Sequence, residues 1–197
     1  MSEGCRAVDS GLFLLSDFSL PITRESNPLL LPGPVPGNPV VLQQFSNVEK
    51  WRQYVLGLQL QGQPPQAIRS NYERMLRVLF LAWLDASVVK LAELAALASL
   101  EAAIGRRYDK KFRGLETALK YLIEEVGVTD ADLRTFRESG GSVVGNLLRK
   151  PQNGGSALSE IRNRLAHGDP FEMIPWGGLF EVVRDLVDFM YPDAPSS

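Results

Sequence analysis

The sequence predicts an all-α protein, a bundle of several packed helices carrying a proline-rich, partly extended N-terminal arm. Three observations carry that prediction. From residue 46 onward, apolar side chains recur at helical spacing between recognisable start and stop signals. Residues 66 to 108 are rich in Leu, Ala, Glu and Arg and contain no proline. Residues 1 to 45 are different in kind, with six prolines between Pro21 and Pro39. Each proline removes a backbone donor and restricts its predecessor, so that segment is not helical.

A chain of 197 residues, 45% hydrophobic and 22% charged, is long enough for one buried core with an added arm. The division expected is an extended arm over 1–45 and a helical domain over 46–197, its core at about 66–191. Net charge is −2, so the protein is no polycation, and any nucleic-acid contact must come from a local basic patch. The single cysteine, Cys5, leaves no intramolecular disulfide or thiolate cluster to form. MSEGCRAVDS has no basic segment followed by an apolar stretch, so no secretory signal is expected. The longest apolar run, Val78 to Leu84, is too short to span a bilayer. A cytoplasmic protein without membrane contact is the expectation. No internal repeat and no metal-ligand spacing is present, so neither a metal nor a cofactor is expected.

Taken in order, the arm has short extended pieces at Leu12–Leu15 and Val40–Gln44 with Pro-Gly turns between them. Leu29–Leu31 and Val40–Leu42 are apolar enough to dock on something. Ser46 with Glu49 forms a capping box for a helix running to about Leu60, and Gln61–Pro65 breaks it. The long stretch from Gln66 to Tyr108 exceeds the usual helix length and has a break near Asp85–Ser87. Within it VLFLAWL, Val78 to Leu84, is apolar on all sides, as in a central helix covered by neighbours. GRRYDKKFRG reads as a basic connection. Gly114–Val126 follows as a helix with Leu115, Leu119, Leu122 and Ile123 at helical spacing and Gly127 past its end. Thr129 and Asp132 form a second capping box, for a short helix to about Arg137. A Gly-rich connection leads to a helix over Ser156–His167, stopped by Gly168 and Pro170. Leu179 to Tyr191 closes the chain with Leu179, Val182, Val183, Leu186, Val187 and Met190 on one face.

His167 is the only histidine. On an ideal helix Leu158, Ile161 and Leu165 form the core-facing stripe, with Arg162 on its flank. Asn163 and His167 are four apart and stack on one side, away from that stripe. A buried structural histidine belongs on the stripe, so this one sits on the surface or in a subunit interface. Its ordinary reading is a cation in the last turn that complements the helix dipole, with Arg162 and Arg164 as surface charges. The same residues also suit chemistry. Histidine titrates near neutrality and serves as a general acid or base. A neighbouring guanidinium can clamp a phosphate and stabilise charge developing on it. Asn163 can orient the ring or bond a phosphate. Histidine plus arginine without a carboxylate cluster fits metal-free chemistry on a phosphodiester.

IRNRLAHG resembles the signature of the HEPN superfamily, helical domains named for higher eukaryote and prokaryote nucleotide binding. That signature is an arginine, a polar residue that is often asparagine, and a histidine after four to six intervening positions, frequently followed by glycine. Arg162, Asn163, His167 and Gly168 match it, in the RNxxAHG form of bacterial defence and toxin-type proteins. The motif covers eight residues. Its place in a late helix, after long Leu/Ala-rich helices and before one final apolar helix, extends the resemblance over about Gln66 to Tyr191 and leaves the arm outside. The resemblance implies an HEPN-like helical bundle that pairs into a two-fold homodimer with the two motifs facing one composite cleft. It implies a metal-independent endoribonuclease in which the RNA 2′-hydroxyl attacks the adjacent phosphate, leaving a 2′,3′-cyclic phosphate. By the same resemblance His167 is the general acid/base, Arg162 the transition-state clamp and Asn163 the orienter.

Two further features bear on this. Arg106, Arg107, Lys110, Lys111 and Arg113 place five cations in eight residues with Tyr108 and Phe112 interleaved, a composition suited to RNA and equally to a solvated helix connection. Glu101 lies on the polar side of a long helix. It is an accessory candidate because some family members place a polar residue on an earlier helix near the active centre; otherwise it is a surface glutamate. Arg149 and Lys150 border the Gly-rich loop. The acidic overall balance departs from an unspecific ribonuclease and points to a guided or restrained enzyme, or to a noncatalytic member. The resemblance, for its part, implies an antitoxin or defence partner, as in toxin–antitoxin or abortive-infection systems. The alternative is a noncatalytic HEPN module that dimerises, senses a nucleotide or RNA, and supports a partner protein.

Overall fold

Two antiparallel strands precede the helices. In the computed structural model, which describes residues 23–147, 162, 163, 166, 167 and 175–193, β1 (Leu29–Val35) pairs with β2 (Asn38–Phe45). The register sets Leu29 opposite Phe45 and Leu31 opposite Gln43. Prolines are tolerated because a two-stranded ribbon has only edges. Gly37 takes the left-handed conformation, φ 77°, that the tight turn demands, and its N–H donates to the Glu138 carbonyl at 3.0 Å. Leu29, Leu31 and Phe45 enter the core, whereas Leu30, Val40 and Leu42 face outward. The architecture is therefore mainly α with a small sheet, rather than all-α. Leu12–Leu15 lie outside the described residues.

Helix α1 (Val48–Gly57) buries Val48, Trp51 and Val55, the i, i+3, i+7 stripe of a half-covered helix. Its cap is Asn47, whose side-chain oxygen accepts from the Glu49 N–H at 2.7 Å. The expected cap at Ser46 is thus displaced by one residue, since asparagine in extended conformation closes the same short loop. The helix ends at Gly57 rather than near Leu60.

The proline-free stretch folds as α2 (Gln66–Leu81) and α3 (Val88–Tyr108), joined by a turn. The VLFLAWL expectation is corrected here: α2 ends inside that run, and Leu81 and Leu84 are 45% and 51% exposed. Helix α4 (Leu115–Glu124) follows, with Gly127 at φ 81° past its end. The Thr129–Asp132 capping box forms, but it caps a single 3₁₀ turn over Asp130–Asp132. Leu133 then steps out to an extended conformation before α5 (Arg134–Ser139). A short α6 (Val144–Leu147) and a long α7 (Leu179–Met190) complete the described elements.

α3 packs on α2, α4 and α7, and α5 packs on α7 and the hairpin. The helix covered on every side is α7, where all nine residues from Leu179 to Val187 are buried. The one-faced expectation for this helix needs correction, because Glu181, Arg184 and Asp185 are buried too. Polar ends of large core side chains are satisfied as burial requires. The Trp51 indole N–H donates to the Phe80 carbonyl at 3.1 Å, and the Tyr72 hydroxyl donates to the Leu58 carbonyl at 2.8 Å.

Candidate active site

α3 supplies one wall of the site. Its core side takes Ala96, Leu97, Leu100 and Ile104, all fully buried, which leaves Glu101 on a flank at 27% side-chain exposure. Arg162 faces it, with Nη2 3.8 Å from Glu101 Oε2. That separation is an ion pair too long for a hydrogen bond, and its partial exposure makes it worth little to stability. Arg162 Nη1 donates to Asn163 Oδ1 at 3.2 Å. The guanidinium is thus oriented from two sides while keeping further N–H donors of its planar fork.

Residues 162, 163 and 166 are helical, and the His167 N–H donates to the Asn163 carbonyl at 2.9 Å, the i to i−4 bond of a helical turn. Asn163 and His167 are therefore stacked along one side, and both are exposed. Arg162 is half-exposed, at 39% of its side chain. Leu158, Ile161, Arg164 and Leu165 of this segment, Gly168 after it, and Arg149 and Lys150 before it, lie outside the described residues.

Glu101 comes to Arg162, whereas among the described residues no contact joins the basic cluster to it. Arg106 is five residues beyond Glu101, about 7.5 Å along the axis and about 140° around it. All five cations are exposed, and among the described residues none of them forms an ion pair. Two lie against rings: Lys110 Nζ is 3.8 Å from the Tyr121 centroid, and the Arg107 guanidinium carbon is 5.7 Å from that of Tyr191. Tyr121 also packs on Tyr108 and Phe112, with centroids 5.1 and 5.5 Å away. The interleaved aromatics of that segment, Tyr108 and Phe112, thus both pack on Tyr121 and are half-buried. Burial raises the Tyr108 hydroxyl above its ordinary range, with Arg107 opposing.

A second anchor was not legible in the motif. Glu93, on α3, is buried; it accepts from the Trp176 N–H at 2.6 Å and from Lys90 Nζ at 2.9 Å. Burial raises its carboxyl, and Lys90 opposes the rise. Trp176 follows His167 by nine positions, so α3 meets the motif through the weak Glu101–Arg162 pair and anchors the chain shortly after it through Glu93. The signal in the sequence was a lone acid amid LAELAALA, where every other side chain is apolar.

The third polar cluster lies under α1 and α5. Arg184 donates to Asp185 Oδ1 at 2.7 Å, to Thr135 Oγ1 at 2.6 Å and to the Gly57 carbonyl at 3.0 Å. Asp185 Oδ2 accepts from the Thr135 N–H at 2.6 Å, and Asp188 Oδ1 accepts from the N–H groups of Gln61 and Gly62 at 3.0 and 2.9 Å. Glu181 accepts from the Tyr54 hydroxyl at 3.0 Å. These contacts tie three segments, α1, the 61–62 loop and α5, to α7, and those of Glu181, Arg184 and Asp185 are buried or half-buried, so they build the scaffold rather than a surface for substrate.

Among the described residues no group of three or more His, Cys, Asp or Glu is placed to hold a metal ion. No described helix is long and apolar enough to cross a membrane. No protein-family profile matches the chain, and no curated protein or solved structure matches it either.

Proposed function

We propose that this chain is a metal-independent endoribonuclease of the HEPN type, with Arg162, Asn163 and His167 as its working residues. One observation supports the reading best: an arginine steadied by Glu101 and Asn163 shares an exposed helical turn with His167. In the proposed reaction His167 takes the proton of an RNA 2′-hydroxyl. The 2′-oxygen attacks the adjacent phosphorus, the bond from phosphorus to the 5′-oxygen breaks, and a proton passes to that oxygen. A 2′,3′-cyclic phosphate and a 5′-hydroxyl result. Arg162 neutralises charge building on the phosphoryl oxygens, and Asn163 orients the ring or the phosphate. Two copies of the motif, one from each subunit of a homodimer, make the composite cleft. The reading carries with it a cytoplasmic location and a role in defence or growth control beside an antitoxin or defence partner.

The test is incubation of purified protein with total RNA in EDTA. Wild type cleaves; Arg162→Ala and His167→Ala do not, while their melting temperatures stay within about 2 °C of wild type. Intact RNA after prolonged incubation with wild type would leave the noncatalytic module as the better account. A specific observation favours that second reading: the Glu101 carboxylate stands 3.8 Å from Arg162, on the ground a phosphate would occupy. A module of that kind dimerises, senses a nucleotide or RNA, and supports a partner protein without cutting.

A further inference from the structure

The residues from Arg106 to Arg113 take no part in the proposed cleavage, yet they form a built surface rather than a slack connection. Five cations stand there against one carboxylate, Asp109, a local balance of +4 in a chain whose total is −2. Asp109 sets the shape. It closes α3 in the left-handed conformation, φ 48°, as the one non-glycine residue with positive φ among the described residues. The chain thereby reverses, and the Lys110 N–H donates back to the Gly105 carbonyl at 3.2 Å. Cations from both sides of Asp109 are gathered at one end of the helix instead of being strung along it. Rings then hold them in place. Lys110 Nζ lies over Tyr121, which also carries Tyr108 and Phe112. Arg107 lies over Tyr191, whose hydroxyl is itself fixed by donating to the Ala103 carbonyl at 3.0 Å.

We infer that this end of α3 binds the phosphate backbone of single-stranded RNA, beside the cutting turn and not within it. All five cations are exposed, and none forms an ion pair among the described residues. Like charges gathered in this way repel one another, and a polyanion relieves that repulsion. Three of the five are arginines, whose planar fork takes a phosphate through two parallel N–H bonds. Tyr108 and Phe112 are half-buried against Tyr121, and Lys110 covers a face of that ring. The contact is therefore to phosphates rather than stacked bases, and it is indifferent to sequence. A membrane surface fits less well. None of the large exposed apolar side chains among the described residues lies between 105 and 121, whereas a membrane-surface element pairs its cations with apolar groups that enter the lipid. Asp109 and, on α4, Glu116 are the opposing charges nearest in sequence.

The choice of RNA as the polyanion rests on the ribonuclease reading; the surface itself does not. Helix phase sets Arg106 about 7.5 Å along α3 and about 140° around it from Glu101. A strand held at the patch therefore passes around the end of α3 before it reaches Arg162 and His167. The patch acts as a tether that concentrates substrate near the motif, on a chain whose remaining charge is negative.

The test is fluorescence polarisation of a labelled single-stranded RNA titrated with full-length His167→Ala protein in EDTA, over a range of salt. Each phosphate contact on a single strand contributes about 0.7 to the slope of log affinity against log salt. Arg106→Gln, Lys111→Gln and Arg113→Gln are combined, because these three cations lie against no ring. Together they are expected to reduce that slope by about 2, and affinity at about 0.1 M salt by more than tenfold. Lys111→Gln with Arg113→Gln should reduce the slope by about 1.4, and this pair serves should the triple variant disturb circular dichroism. Lys50→Gln, Arg77→Gln and Arg137→Gln remove the same charge from exposed positions on α1, α2 and α5, and should leave the slope within about 0.5 of the parent. No binding by the parent, an unchanged slope in the patch variants, or an equal fall in the α1, α2 and α5 variant would overturn the inference. So would displacement of the RNA by poly-L-glutamate at equal charge, or tighter binding to phosphatidylserine vesicles than to RNA. RNA held through the patch by a wild type that does not cut supports the inference and refutes the ribonuclease reading. Cutting by a protein whose RNA affinity ignores the patch does the reverse.

Discussion

Replacing Glu181 with glutamine should make the protein more stable at neutral pH and remove part of its pH dependence. The carboxyl is buried on α7; Oε1 accepts from the Tyr54 hydroxyl at 3.0 Å, while Oε2 is buried without a hydrogen-bond partner. Burial raises its proton affinity above the ordinary 4.5, and its own backbone N–H, Tyr54 and Arg184 oppose the rise. A carboxyl whose folded value lies above its unfolded one favours folding most when protonated. Its contribution is fully present below the unfolded value near 4.5 and is lost as pH rises through the folded value. Between those two values wild type loses about 1.4 kcal/mol of stability per pH unit through this one group. Glutamine is close in shape and neutral throughout, so the variant escapes that loss. Urea unfolding followed by tryptophan fluorescence, repeated from pH 4.5 to 8, reads the difference directly. The two proteins should differ by no more than about 1 kcal/mol at the acid end, with the variant gaining on wild type as pH rises and then holding its lead. Glu93 and Asp188 are also raised by burial, but they are common to both proteins and drop out of the difference. Parallel stability curves, or a variant that loses ground with rising pH, would refute the reasoning.

Three further outcomes are expected. Glu93→Ala removes the acceptor of the Trp176 N–H and the carboxylate beside Lys90 in a buried setting, which should cost about 3 kcal/mol in denaturant unfolding and expose 175–178 to faster hydrogen exchange. Gly62→Ala sets a Cβ against the Tyr191 carbonyl, a backbone contact with no flexible side chain to yield, so a loss of about 2 kcal/mol is expected by the same measurement. Glu101→Ala frees Arg162 of its carboxylate; melting should shift by less than about 2 °C. If Arg162 is a phosphate clamp, RNA affinity in the His167→Ala background should rise or hold, whereas a tenfold fall would show that Glu101 is needed to position Arg162.

What could be read from sequence was the part decided locally. The break near Asp85–Ser87 separates α2 from α3, and the apolar spacing of Leu115–Leu122 and of Leu179–Met190 marks α4 and α7, because a helix face is set by its own next turn. Caps were legible to within a residue: Asn47 replaces Ser46, since either can accept from the first turn and only the chain's entry angle chooses. VLFLAWL misled because an apolar run reports burial without reporting direction, and at the end of α2 the chain turns and leaves two leucines in solvent. The charges of α7 were missed for a related reason. Gly57 and Thr135, which bond Arg184, and Tyr54, which bonds one oxygen of Glu181, come from distant segments that only the folded chain assembles. The candidate site divides in the same way. Asn163 and His167 share a side by helix periodicity alone, whereas the approach of Arg162 to Glu101 depends on two elements meeting. The basic cluster was equally visible, but its place around α3 from Glu101 follows from helix phase and burial together.

The central claim, that His167 drives cleavage through the RNA 2′-hydroxyl, is tested most directly by the chemistry of the ends. RNA cut by wild type in EDTA should carry 2′,3′-cyclic phosphate and 5′-hydroxyl termini, and His167→Ala should produce neither. Cleavage that persists in His167→Ala, or products bearing 5′-phosphates, would contradict it.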